Sequence, residues 1–298
     1  MEPNQEQVQI NEIPPSGLVP SPVDLHDFPM SAVAPETVRI PEVMLPVFDL
    51  AVTNQRSMPS CVGHSCAYIK QDKEKRERNT IVFNGDWIYQ QCKKEDGIPS
   101  VEGTYFRQGL KILQDQGAVP ALGGDPTPYK IGNYVIIDKL TAEEIKKAIF
   151  LYGSVLAGFR GTNEGWRGEV IRKPAEGEKI WGHAVCLIGY DQDYFYGINS
   201  WGINAHAKGI FKVPFRDYMP FEAWFVINDL PNVATGTIGY IAKEYILDGK
   251  TTKRVNFRVV AGMTGKVIRV LAANTPVRIV ENSEVNKDDL IWVQAEVA

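Results

Sequence analysis

The sequence predicts an α+β protein with two lobes, one helical and one β-rich, separated by a cleft and followed by a small all-β domain. Three observations lead there. Between Cys61 and Gln116 cap and stop signals bracket helical stretches, with Phe106, Leu110 and Leu113 at helical spacing. From Tyr134 to Asn228 the chain turns to short runs rich in β-branched and aromatic residues. From Thr235 onward V-N-F-R-V-V, G-K-V-I-R-V-L, T-P-V-R-I-V and L-I-W-V-Q-A-E-V read as short strands divided by turns, the rhythm of a small barrel or sandwich. A helical half followed by a β half places a cleft between two lobes. The divisions expected are an arm over 1–45, a main domain over 46–232 and a β-module over 235–298.

The bulk numbers narrow the function. With 298 residues, 44% hydrophobic and 23% charged, the chain is long enough for a substantial core. Its 32 basic and 36 acidic residues give a net charge of −4 and no basic footprint, which argues against nucleic acid and an anionic membrane as partners. No apolar run approaches the roughly 18 residues that a membrane span needs. The start, M-E-P-N-Q-E-Q-V, lacks the charged and apolar regions of a secretory signal. The expectation is therefore a cytoplasmic protein or one released without such a signal. Four cysteines at 61, 66, 92 and 186 fit no zinc spacing and are too few for a disulfide framework, so they read as reduced thiols, and no metal or cofactor is expected.

Each element has its own signal. Pro3, Pro14, Pro15, Pro20, Pro22, Pro29, Pro35, Pro41 and Pro46 keep the first segment out of regular helix. Val23, Leu25, Phe28, Met30, Val38 and Ile40 supply apolar contacts, so an extended arm lying on the body is expected, and such a Pro-rich segment could cross the cleft and block it. Cys61–Arg78 reads as a helix with Ser60 as its N-cap and a solvated, charged far end. Gly85–Lys94 and Tyr105–Gln116 read as two more helices, the last stopped by Gly117. Thr141-Ala-Glu-Glu144 is a capping box opening a helix through Leu151. Strands are expected at Tyr134–Ile137, Ser154–Phe159, His183–Tyr190, Tyr194–Asn199, Gly209–Pro214 and Ala223–Asn228.

The chemistry concentrates in N-Q-R-S-M-P-S-C-V-G-H-S-C-A, residues 54–67. A cysteine at a helix start has its thiolate stabilised by the helix dipole and free backbone N–H groups. Gln55, six residues before Cys61, can offer a side-chain N–H to a developing oxyanion beside the N–H of Cys61 itself. A thiol nucleophile also needs a base, and the base an orienting group. His183 heads an apolar strand in W-G-H-A-V-C-L-I-G-Y, and Asn199 ends the next strand in Y-G-I-N-S-W-G. A hairpin turned at D-Q-D brings the two together, with the Asn amide oxygen holding one imidazole nitrogen and Trp201 shielding that bond. The other thiols have blander readings: Cys66 and Cys186 as core, Cys92 as a buried helix cysteine. His64 reads as a packing or hydrogen-bonding residue, His206 as a loop residue and His26 as part of the arm surface.

These motifs resemble, in order and spacing, those of the papain family of cysteine peptidases: Q-x-x-x-x-S-C, then G-H-A-V-x-x-I-G-Y, then N-S-W-G. L-K-I-L-Q-D-Q-G-A-V-P, T-A-E-E-I-K-K-A-I-F-L-Y-G-S-V-L-A-G and G-I-F-K-V-P extend the similarity over roughly residues 46–230. The short arm, with P-V-D-L-H-D-F, is similar to the N-terminal stretch of bacterial and viral members. The resemblance implies a papain-like fold and a peptide or protein substrate. Cys61 would be the thiolate nucleophile, His183 its imidazolium ion-pair partner and the acid that protonates the leaving amine, Asn199 the orienter, and Gln55 with the Cys61 N–H the oxyanion hole. Gly103, Ala184 and Trp201 match positions that line the substrate cleft, although the paired glycines of the family are not reproduced around Gly103. Met58, Pro59, Val62 and Ala205 depart from the family's residues around the nucleophile and after N-S-W-G. The alternative is a catalytically silent or cell-wall-peptide-directed protein whose C-terminal module, loosely similar to Src-homology-three-type barrels, carries the binding.

Overall fold

The computed structural model describes residues 17–46, 50–77, 79–229, 238–248, 250–252, 255–258, 267–271, 277–279, 284–287 and 290–297. The expected arm residues 1–16 and the boundary between 230 and 237 lie outside them. Two compact units divide the chain: residues 1–124 with 131–228, and residues 125–130 with 229–298.

In the first unit three helices come first. They are α1 (Cys61–Arg76), α2 (Gly85–Glu95) and α3 (Phe106–Asp115). Asn84 caps α2 by accepting from the Trp87 N–H at 3.0 Å. Ser60 does not cap α1; its hydroxyl donates instead to Asp86 at 2.8 Å. Its backbone, at φ −103° and ψ 19°, is not in the extended conformation that turns an N-cap hydroxyl onto the N–H groups of the first turn.

The far end of α1 also departs from expectation. Rather than a solvated charged surface, Lys70, Asp72, Lys73 and Glu74 are buried. Lys70 and Glu74 form an ion pair of 2.6 Å with both side chains fully covered. Lys73 donates to the carbonyls of Tyr152 and Val226, and Asp72 accepts from Arg76 and from the Ser154 N–H. Every one of these charges has a partner, on the same helix for Lys70 and Glu74 and across the interior for Asp72 and Lys73, which is the condition for burying it. Because α1 is covered on all sides from Cys61 to Glu74, no apolar stripe announces it in the sequence.

The second lobe is an antiparallel sheet. It contains β1 (Tyr134–Ile136), β2 (Val155–Gly161), β3 (Trp181–Tyr190), β4 (Tyr194–Ile198), β5 (Ile210–Pro214) and β6 (Glu222–Val226), ordered β1-β6-β2-β3-β4-β5. The helix α4 (Ala142–Tyr152) precedes β2, its first turn capped by Thr141 accepting from the Glu144 N–H at 3.2 Å. Phe159, Trp166, Val185, Leu187, Phe195, Phe211 and Phe225 belong to the core of this lobe. β3 and β4 form the hairpin expected over D-Q-D, where the Asp191 carboxylate accepts from the N–H groups of Asp193 and Tyr194. Cys186 pairs with Ile198, so His183 near the start of β3 and Asn199 just past the end of β4 come to the same edge.

The second unit carries β7 (Ile238–Ala242), β8 (Ile246–Leu247), β9 (Lys250–Thr251), β10 (Val255–Arg258), β11 (Val267–Leu271), β12 (Val277–Ile279), β13 (Val285–Lys287) and β14 (Leu290–Val297). Its main sheet has the order β11-β10-β7-β14-β12, with β13 also on β14 and all pairs antiparallel. Ala242 and Trp292 are buried together in it. The outer ends of the strand expected to run to Val260 and of the one starting at Gly265 lie outside the described residues.

Candidate active site

Cys61 is the first residue of α1. It is fully buried and so is Gln55. Three hydrogen bonds fix Gln55: its backbone N–H donates to the Ser200 carbonyl at 2.8 Å, its Oε1 accepts from the Ser200 hydroxyl at 2.6 Å, and its Nε2 donates to the Met58 carbonyl at 2.7 Å. The loop before the nucleophile is thereby tied to the segment after β4. Tyr68, two turns along α1, donates to the Asn199 carbonyl at 3.1 Å and makes a second tie.

His183 is fully buried, in register with Phe159 of β2. Its Nε2 lies 2.9 Å from Asn199 Oδ1. The same oxygen accepts from the Ser200 N–H at 2.8 Å, so the amide must present oxygen on this side, and His183 must carry its proton on Nε2. Nδ1 is then the bare nitrogen, and it has no hydrogen-bond partner among the described residues. Three tryptophans wall the ring: Trp166, Trp181 and Trp201 stand with centroids 5.4, 5.9 and 4.9 Å away. Trp201 is itself only 7% exposed. Burial in this apolar box pushes the imidazole down to about 4, against the opposing effect of Asn199.

The N–H of Ala184, next to His183 on β3, bears on the Cys61 sulfur, which places the thiol beside the start of this strand. Burial pushes the thiol up to about 11, although the N–H groups of Ala184, Gly17 and Val62 act the other way. Burial thus disfavours the charged form of both the thiol and the imidazole.

The closure comes from the arm. Gly17 donates its N–H to the Cys61 sulfur at 3.3 Å. Leu18 N–H donates to the Gly182 carbonyl, Val19 N–H to the Thr104 carbonyl, and Thr104 N–H to the Gly17 carbonyl. One residue triplet therefore bonds Gly182 at the start of β3 and Thr104 before α3. The approach is tight: a Cβ on Gly17 would fall 1.9 Å from the Pro59 oxygen, and one on Gly103 would fall 2.2 Å from the Gly17 oxygen. The Leu18 side chain is 7% exposed and packs on Gly158 beside Phe106 and Phe221. Further along, Ser21 N–H donates to Glu222, Arg107 donates to Asp27, and Ser31 N–H donates to Asp138.

The structure brings Cys61, His183, Asn199, Gln55, Ala184 and Trp201 to one locus and puts Gly103 against the arm. Cys66, Cys92 and Cys186 are buried free thiols, each pushed well up by desolvation. His64 is a structural residue held between Thr53 and Asp86 at 2.7 and 3.0 Å. His206, expected to be a plain loop residue, contacts Asn199 directly, its Nε2 lying 2.8 Å from Asn199 Nδ2. Neither it nor Leu18, Thr104 or Gly182 carries a sequence pattern that marks such a role; only the three-dimensional pairing does. Among the described residues no cluster of acidic, cysteine or histidine side chains is arranged to hold a metal ion.

No family model matches the chain, and no curated protein does. Solved structures do. Xylellain, a cysteine protease from Xylella fastidiosa, is 22% identical over 74% of this chain and 96% of its own, with a TM-score of 0.63. A digestive procathepsin L2 from the larval midgut of Tenebrio molitor is 20% identical over 72% and 78%, with a TM-score of 0.57. A cysteine protease from Carica candamarcensis, solved with E-64, is 15% identical over 64% and 100%, with a TM-score of 0.53. The fold is that of the papain-like cysteine proteases.

Proposed function

We propose that the protein is a cysteine peptidase that acts on peptide or protein substrates and is held latent by its own N-terminal arm. One observation carries the catalytic reading. Asn199, anchored by the Ser200 N–H, fixes His183 in the tautomer with a bare Nδ1, and the next residue on the strand, Ala184, turns its N–H to the thiol at the start of α1. In this reading Nδ1 takes the Cys61 proton, and the thiolate attacks the peptide carbonyl carbon. The Cys61 N–H and the Gln55 amide donate to the oxyanion. His183 then gives its proton to the leaving amine, and water hydrolyses the thioester through the same imidazole. Trp201 keeps solvent off the His183–Asn199 bond.

Latency rests on what the arm offers the sulfur. A peptide set for cleavage must present a carbonyl carbon to the nucleophile, whereas Gly17 presents an N–H. The arm thus fills the cleft in a posture in which it is not cut. The apolar site that Leu18 occupies beside Phe106 and Phe221 favours substrates with a leucine-sized apolar side chain there.

Hydrolysis of dipeptide and tripeptide fluorogenic substrates by the full chain, by the chain without residues 1–40 and by Cys61→Ala tests this. The expected order is shortened chain, then full chain, with none for Cys61→Ala. Equal rates for the first two, with the fold retained, would remove the latency reading; a shortened chain with no hydrolysis of any peptide would remove the peptidase reading.

A further inference from the structure

We infer that His206 is a positioning residue that, with the Gly168 carbonyl, locks the Asn199 amide and through it the tautomer of His183. The inference rests on the peptidase reading for its catalytic meaning, but the lock itself stands on hydrogen-bond directions alone.

The four groups form one chain. The Gly168 carbonyl lies 2.7 Å from His206 Nδ1, His206 Nε2 lies 2.8 Å from Asn199 Nδ2, and Asn199 Oδ1 lies 2.9 Å from His183 Nε2. A carbonyl oxygen can only accept, so His206 must carry its proton on Nδ1. Its Nε2 is then bare and can only accept, which demands the amide N–H of Asn199. The amide oxygen is left facing His183, in agreement with the Ser200 N–H that donates to it at 2.8 Å. Two backbone groups, the Gly168 carbonyl at one end and the Ser200 N–H on the Asn199 oxygen, therefore dictate every proton in it, and the bare nitrogen of His183 is the outcome.

The His206 ring is held to this task by its neighbours. It stacks on Trp201 at 23° with centroids 5.7 Å apart and lies 5.4 Å from Phe211. Its backbone has φ +51°, a conformation that few non-glycine residues adopt, so the turn itself aims the ring.

Protonation of His206 would break the lock. With N–H on both ring nitrogens it would meet the Asn199 amide donor to donor, and a flipped amide would turn its own N–H groups toward His183 Nε2–H. Burial holds the His206 imidazole below its usual range, so the lock persists into mild acid. The charged groups that line the same cavity are Arg167 and Glu169. Arg167 pairs with Glu164 and Glu169 with Lys212.

The test uses the full chain in three forms. His206→Phe keeps a ring against Trp201 and removes the acceptor; His206→Gln restores an acceptor oxygen. For peptide hydrolysis we expect His206→Phe to lower kcat about tenfold, the rate equivalent of one neutral hydrogen bond, with KM within twofold of wild type. His206→Gln should recover most of kcat and move the acid limb of the pH–kcat profile to lower pH. Nitrogen-15 shifts of the imidazoles in the wild-type full chain supply a readout independent of activity and of any variant's folding: His206 should be protonated on Nδ1 and His183 on Nε2 at pH 7. His206 protonated on Nε2, or His206→Phe with unchanged kcat and pH profile, overturns the inference. A chain without residues 1–40 that hydrolyses no peptide, with the expected imidazole shifts in the full chain, sinks the peptidase reading and leaves the lock standing.

Discussion

Leu18→Ala should open the cleft. Leu18 is 7% exposed, and its side chain packs on Gly158 beside Phe106 and Phe221. Truncation removes three buried carbons at about 0.8 kcal/mol each, roughly 2.4 kcal/mol less holding the arm in place. The backbone bonds of Gly17, Leu18 and Val19 to Cys61, Gly182 and Thr104 are untouched. The ratio of open to closed chains should then rise about fiftyfold, since about 1.4 kcal/mol is a factor of ten. The rate at which a chloromethyl ketone alkylates Cys61 reads that ratio directly, because the closed state covers the sulfur completely. Deleting residues 1–40 sets the ceiling. Gly17→Ala reaches the same equilibrium by another route: its Cβ would sit 1.9 Å from a backbone oxygen of Pro59, so the arm must lift. Equal alkylation rates for the full chain, Leu18→Ala and the deletion, in folded proteins, would refute the reasoning.

Two further predictions concern stability. His183 titrates near 4 in the folded chain against 6.5 unfolded, so the unfolded state binds the extra proton first and stability falls as pH drops from about 6.5 toward 4. The loss approaches roughly 3 kcal/mol. Thermal unfolding at pH 7 and pH 4.5 should therefore show a larger drop in Tm for wild type than for His183→Gln, and equal drops would contradict the buried neutral imidazole. Glu74→Ala removes the carboxylate from a fully buried ammonium, Lys70, and should destabilise by about 3–5 kcal/mol. Urea unfolding checks this, and a change below about 1 kcal/mol would mean that the pair behaves as a surface one.

Much of the site was legible because its residues stand in patterns that local sequence carries. A cysteine at a helix start with a glutamine six residues before it, and a histidine and asparagine joined by a tight hairpin, need only short-range geometry to be placed. The helices and strands of the first unit likewise announced themselves through capping residues and periodicity, as with Thr141 and α4. What stayed hidden depends on distant partners. Ser60 fits a cap by type, but its oxygen accepts from no N–H of the first turn and its hydroxyl donates to Asp86. The charged run at the end of α1 looks solvated until the carbonyls of Tyr152 and Val226 and the amide of Ser154 are known to face it. His206 is one more loop histidine until Gly168, 38 residues earlier, supplies the carbonyl that sets its tautomer. That an arm should cross the cleft could be argued from its prolines. That Gly17, having no side chain, is the residue able to reach the sulfur could not.

The central claim is that Cys61 and His183 form a working nucleophile–base pair. Alkylation of the arm-shortened chain by a thiol-directed epoxide, with the adduct mapped by mass spectrometry, tests it most directly. The account predicts modification of Cys61 well ahead of Cys66, Cys92 and Cys186, and loss of that selectivity in His183→Ala. Equal labelling of all four cysteines, or a rate at Cys61 unchanged by His183→Ala, would contradict it.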